Sequence, residues 1–257
     1  SGWFDNFYLN GSASTTSGVI NTMSSAFLAS ISKNSAVSAT GYKVGADRGY
    51  TGRGWDGLIA EVLAFNTKLS DLDRKKVQTY LSQKWNISIP DESTTLVSSV
   101  KDSSINNYNG ILRRKFAPST LSDLDLWLDA ADTSTIAHSS NAVSQWNDKS
   151  GNNYHHTTNL GSPTTNTQQV NGKNVIAFDG DGLSLTNASL GDLINGTNND
   201  MAVFVVFQNS LDSGHKPFRL SQATGNNSSF ELGPQYNENQ MRTLFYNSSG
   251  EGDGVDG

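Results

Sequence analysis

The chain has 257 residues, no cysteine and a formal net charge of −6, from 18 Lys and Arg against 24 Asp and Glu. Without cysteine there is no disulfide framework, thiolate metal site or cysteine nucleophile. The basic cluster Arg113-Arg114-Lys115 is too short to follow a phosphate backbone, so no nucleic-acid partner is expected. Apolar residues are 35% of the chain and charged residues only 16%, so its polarity comes from Ser, Thr, Asn and Gly, which suit turns and exposed loops. The 11 Phe, 8 Tyr and 5 Trp are still enough to fill a core, which argues against disorder.

The first residues, Ser1-Gly2-Trp3-Phe4-Asp5, do not read as a secretory leader, and they start inside a strand pattern. We therefore expect an excerpt of a longer polypeptide. Residues 3–9 are aromatic-rich and stop at Asn10-Gly11, a hairpin signal because both residues tolerate positive φ. Residues 12–40 are rich in Ser, Ala and Thr and predict weak strands. The strand pattern resumes at Tyr42–Val44 and from Trp55 to Phe65, where the apolar run Leu58–Phe65 predicts a strand buried on both faces.

One helix is predicted, over about 70–85. Ser70 caps it and Asp73 stands at the capping-box position. Val77, Leu81 and Trp85 make an apolar stripe at i, i+4 and i+8, with Arg74, Lys75 and Gln78 on the opposite, polar face. Asn86 and Pro90 end it.

Residues 90–117 read as a linker holding a short strand near 95–100. Leu124, Leu126 and Leu128 then alternate with Asp123, Asp125, Trp127 and Asp129, a half-buried strand on which Asp123 and Asp125 share the solvent face. Val175–Phe178 is a further strand, turned by Asp179-Gly180-Asp181-Gly182. Met201–Phe207 is the most apolar run and predicts a core strand. Phe230–Gly233 and Met241–Tyr246 are strands too, and the Gly-rich acidic tail from Ser248 cannot fold alone. No run of 18 apolar residues exists, so no membrane insertion is expected.

Three blocks carry a resemblance. Leu126-Trp127-Leu128-Asp129-Ala130 stands with Val143–Asn152 (VSQWNDKSGN). Val175–Gly180 (VIAFDG) is the second. Ile59-Ala60-Glu61-Val62, followed by Asn66 and Leu69–Trp85, is the third. Together they resemble the concanavalin-like (laminin-G-like) jelly rolls of bacterial and phage surface proteins. The resemblance implies an all-β sandwich with one short helix, but in permuted order. In that family the LWLDA block opens the domain and the helix closes it; here the helix comes first.

Residues 1–89 thus read as the closing half of a sandwich, 90–117 as a linker and 118–257 as the opening half. Three arrangements fit: one repeat of a tandem array cut inside a loop, a circular permutant, or the junction of two neighbouring sandwiches. Each half would leave roughly 1,000 Å² of apolar surface open, about 25 kcal/mol of unrealised burial. That exceeds the ~5–15 kcal/mol stability of a whole domain. Each half therefore needs its complement, from the same chain or a neighbour.

The candidate ligand-binding residues are Trp146, Asn147, Asp148 and Asn152. Trp146 offers a ring to stack on a sugar, although a core position is the default for a strand Trp. Asp148 and its neighbours offer a cation or sugar-hydroxyl site, against an Asx-type turn in which Asp148 caps its own backbone. The family implies Ca²⁺ at loop rims, for which Asp47, Asp56, Asp179 and Asp181 are the candidates. Asp179-Gly180-Asp181-Gly182 is no EF-hand, since Leu190 stands where the twelfth-position Glu belongs; a tight turn is its default. His138, His155, His156 and His215 lack metal-pair spacing. No nucleophile elbow, P-loop or dinucleotide fingerprint occurs.

The expectation is a non-catalytic extracellular, cell-surface or virion-surface module. It would be adhesive and glycan-binding, self-associating or repeated in a fibre or decoration protein. A purely structural assembly protein is the alternative, and a carbohydrate-active enzyme is third.

Overall fold

The structure, a computed structural model, describes residues 6–14, 25–34, 41–45, 54–90, 97–100, 110–113, 116–186, 200–209, 217–221, 228–234, 241–246 and 252–254. In chain order the strands are β1 (Asn6–Leu9), β2 (Ser12–Ser14), β3 (Phe27–Asn34), β4 (Gly41–Val44), β5 (Trp55–Phe65), β6 (Val97–Val100), β7 (Gly110–Arg113), β8 (Leu124–Asp129) and β9 (Ile136–Ser139). They continue with β10 (Ala142–Trp146), β11 (His156–Leu160), β12 (Thr164–Val170), β13 (Lys173–Thr186), β14 (Asp200–Asn209), β15 (Phe218–Ser221), β16 (Ser228–Pro234), β17 (Met241–Tyr246) and β18 (Gly252–Gly254). Among the described residues there is one α-helix, α1 (Asp71–Trp85). The fold is an all-β sandwich of antiparallel strands with a single short helix.

Sixteen strands join in one continuous ladder, and β6 with β7 forms a separate two-stranded ribbon. β5 lies at the centre. β14 runs along one edge of it, while the other edge carries β13 opposite residues 55–59 and β8 opposite residues 61–65. β14 also pairs with β3, and β4 is held between β13 and β15. Strands from 1–89 therefore interleave with strands from 118–257 inside one chain.

Strand alternation divides the side chains between two cores. Met201, Val203, Val205 and Phe207 of β14 join Ala29, Ile31, Val62, Leu126, Leu128, Tyr42, Val44 and Phe218 in the main core between the layers. Ala202, Phe204 and Val206 face the other way, onto Leu28, Leu63, Phe65 and the α1 stripe Val77, Leu81 and Trp85. β14 is buried on both faces, and so is β5 over Ile59–Phe65. β3 was expected to be weak; its residues Phe27 to Lys33 are in fact all buried. Small residues such as Ala29 and Ser30 lower its apparent hydrophobicity, but they fit a strand covered on both sides.

Three of the ladder's register shifts fall on the pairings of β5. At Ala60 the register against β14 slips by one residue, so Ala60 packs in the core beneath α1 and Glu61 also hydrogen-bonds with helix side chains. At Asp125 the register of β8 on β5 slips likewise. At Gly180 the register of β13 on β5 slips, and the strand continues to Thr186. The Asp179–Gly182 segment is therefore not a turn. Gly180, at φ 75°, absorbs the extra residue, a conformation open mainly to glycine.

The helix begins as expected. Ser70 Oγ accepts a bond from the Asp73 backbone N–H at 3.1 Å, and Asn86 closes the C-terminus in the left-handed region at φ 51°. Gln78 departs from the expected polar face: it is buried, and its Nε2 donates to Ser30 Oγ at 2.8 Å, tying α1 to β3. The Asn10-Gly11 hairpin joins β1 and β2. No helix among the described residues is long and apolar enough to cross a membrane.

Candidate functional site

The segment Trp146–Asn152 folds back on its own chain. Trp146 is fully buried in the main core, so its ring cannot stack on a sugar, and that expectation is corrected. The Asp148 carboxylate is almost entirely used by internal donors. Oδ1 accepts from the backbone N–H groups of Trp127 and Ser150, each at 2.9 Å, and Oδ2 accepts from Tyr154 N–H at 3.1 Å. Ser150 Oγ lies 2.6 Å from the same Oδ2 and 2.8 Å from the Asp125 carbonyl. Asn147 is half-buried and accepts from Gln145 Nε2 at 2.6 Å. Asn152 is exposed, and its Nδ2 donates to the Asp125 carbonyl at 2.8 Å. Through Asp148, Ser150 and Asn152 the segment pins β8.

Of the Ca²⁺ candidates, Asp47 lies outside the described residues. Asp56 and Asp179 are opposite each other in the β5–β13 register. Asp181 is buried, with Oδ1 accepting from Ser162 N–H at 2.8 Å and Oδ2 from Asp179 N–H at 3.0 Å, so it braces the Gly180 bulge. No group of three or more His, Asp or Glu able to hold a metal occurs among the described residues.

A polar network that residue spacing did not reveal lies between α1, β5 and β8. Glu61 is fully buried. Its Oε1 accepts from Trp127 Nε1 at 2.8 Å and Tyr80 Oη at 3.0 Å, and its Oε2 accepts from Trp85 Nε1 at 2.6 Å. Lys84 Nζ stands 2.8 Å from Glu61 Oε2 and 2.6 Å from Asp129 Oδ1. Lys149 Nζ stands 2.9 Å from Asp129 Oδ2 and 2.6 Å from Asp132 Oδ2, and caps the Trp127 ring at 4.6 Å. Burial raises the Glu61 pKa, with Asp129 adding to the rise and Lys84 opposing it. Burial also works against the Lys149 charge, but Asp132 and Asp129 outweigh it and raise the pKa. Register explains the assembly. Glu61 pairs with Asp129, and Trp127 falls two residues away on the same face. The indole N–H groups of Trp85 and Trp127 were the available signal, since a buried Trp beside a buried Glu needs an acceptor.

A second polar site sits in the main core. Asp125, expected on the solvent face, is buried and accepts from Tyr42 Oη at 2.9 Å; as the bulge residue of β8 it escapes simple alternation. Burial pushes it up to about 7, the Tyr42 bond opposing and Asp148 adding to the rise. His156 is fully buried near the Tyr42 ring, and loss of hydration pushes it down to about 4. Its Nδ1 donates to the Tyr154 carbonyl at 3.0 Å, and its Nε2 has no hydrogen-bond partner among the described residues.

Among the described residues, a groove of about 410 Å³ lies between the β1–β2 hairpin and α1. Tyr8, Ser12 and Ala13 form one wall, Arg74, Lys75, Gln78 and Thr79 the other, and Ile89 and Pro90 lie at one end. The Arg74 guanidinium lies 3.9 Å from the Tyr8 ring centre, which stiffens both side chains.

Comparison with protein-family models, with curated proteins and with solved structures gives no match for this chain.

Proposed function

We propose that the chain is a non-catalytic laminin-G-like jelly-roll module of an extracellular or virion surface, and that it binds glycans in the groove between the β1–β2 hairpin and α1. The groove carries this reading. Its volume of about 410 Å³ is pocket-sized. Its walls combine an aromatic ring with hydroxyl, guanidinium and ammonium groups, the chemistry that meets both the faces and the hydroxyls of a sugar. Weak sites of this kind gain strength through repetition, which suits a fibre or decoration protein.

The test is glycan-array screening of the full chain, then titration of the best binder against the wild type and Ala13→Trp, which fills the groove from the hairpin side. The variant should lose affinity by about tenfold or more, about 1.4 kcal/mol, at unchanged melting temperature. Binding that vanishes with EDTA would assign a role to Ca²⁺ near Asp47, Asp56, Asp179 or Asp181. Polymerisation without glycan binding would instead favour the assembly protein, and turnover of a polysaccharide the enzyme.

A further inference from the structure

The Glu61–Lys84–Asp129 cluster is built like a reaction centre. An amine and a carboxyl lie in hydrogen-bond contact, with Lys84 Nζ 2.6 Å from Asp129 Oδ1. A second carboxyl, Glu61 Oε2, is 2.8 Å from the same nitrogen. Glu61 is fully enclosed and Asp129 is 4% exposed. Tyr80, Trp85 and Trp127 hold Glu61 in place with three ring donors, which leaves it little freedom. Lys149 sits on the far oxygen of Asp129 at 2.9 Å.

We propose that Lys84 and Asp129 condense spontaneously in the folded chain to an intramolecular isopeptide bond, with Glu61 carrying the proton. The ammonium of Lys84 first gives one proton to Asp129 Oδ1, leaving a neutral amine and a carboxylic acid. The nitrogen lone pair attacks Asp129 Cγ, and a C–N bond forms. Negative charge collects on Oδ2, where the Lys149 ammonium stabilises it. Glu61 takes a proton from the nitrogen and delivers it to the departing oxygen. The Cγ–Oδ1 bond breaks, one water leaves, and Glu61 returns to its starting state. No oxidant, cofactor or outside reagent is needed.

Two physical conditions favour the step. Contact at hydrogen-bond distance between groups on rigid elements, α1 and β8, replaces a bimolecular encounter. Burial raises the Glu61 pKa, which brings its acid form within reach for proton transfer. The product would bond the 1–89 segment covalently to the 118–257 segment, across the pairing of β5 with β8.

Intact mass measurement of the folded, then denatured, 257-residue chain tests this. The mass should fall short of the sequence mass by one water, and proteolysis should yield one branched fragment joining Lys84 to Asp129. Lys84→Arg keeps the cation but should show its full mass. Asp129→Asn should lose ammonia in place of water and end at the wild-type cross-linked mass, which a mere ion pair could not produce. Glu61→Gln should show its full mass. A wild-type chain at full sequence mass overturns the proposal whatever the variants do, and so does a branch mapped to Lys149.

Discussion

Asp125 and His156 are buried groups whose pKa values folding moves in opposite directions. Asp125 has its folded pKa raised from 3.8 to about 7, so its contribution to stability is full below the unfolded value and is lost as pH rises through about 7. His156 is lowered from 6.5 to about 4, so its contribution is full above the unfolded value and is lost as pH falls through about 4. Each arm corresponds to about 3–4 kcal/mol. Between about pH 4 and 6.5, folding adds a proton at Asp125 and removes one at His156, so the two slopes oppose and nearly cancel. Asp125→Asn removes one arm, and its melting temperature should climb with pH across this window relative to wild type. His156→Gln removes the other and should show the opposite trend. Melting curves at several pH values decide it; an Asp125→Asn profile parallel to wild type would sink the idea. At this scale the sequence was partly legible. Asp148 was visible as an Asx-type turn residue, and its bond from Ser150 N–H is what an Asp side chain does locally, whereas the turn expected at Asp181 is a bulge braced from Ser162. Asp125 was not legible, because strand alternation assigns it to solvent and only the bulge overrides that.

At the scale of elements, two glycines separate backbone strain from crowding. Gly180 and Gly11 both have positive φ, 75° and 76°. A Cβ on Gly180 would meet nothing within 4 Å, whereas on Gly11 it would come 2.9 Å from Ile89 Cβ. Gly180→Ala should therefore cost only the left-handed backbone penalty, about 1–2 kcal/mol. Gly11→Ala should cost more, because the hairpin must also lift off the segment that follows α1. Chemical denaturation of both variants checks the ranking; equal costs would show that Ile89 yields freely. Ser70→Ala should lower stability by about 1 kcal/mol through loss of the cap to Asp73. The helix and its cap were readable from Ser70, Asp73 and the 77–81–85 stripe, since capping and amphipathicity are local. Gln78 was not, because its burial depends on Ser30, 48 residues away.

For the whole molecule, interleaving sets the expected behaviour. β5 from one segment is flanked by β13, β14 and β8 from the other, and β4 by β13 and β15. Residues 1–89 expressed alone should show no cooperative melt, and residues 118–257 alone should behave the same. Mixed, they should recover one transition close to that of the intact chain. A compact, cooperatively melting monomer from either piece by itself would contradict this.

Taken by itself, the sequence determined the all-β character, the single capped helix, the buried runs of β5 and β14 and the absence of cysteine chemistry. These follow from residue composition, periodicity and short-range capping. Only the tertiary structure decided which acids face inward, that Asp179–Gly182 is a bulge within a long strand, and that Glu61, Lys84 and Asp129 converge. Those outcomes depend on strand register between segments far apart in the chain, and a one-residue slip, as at Ala60, Asp125 or Gly180, redirects a side chain with no local trace.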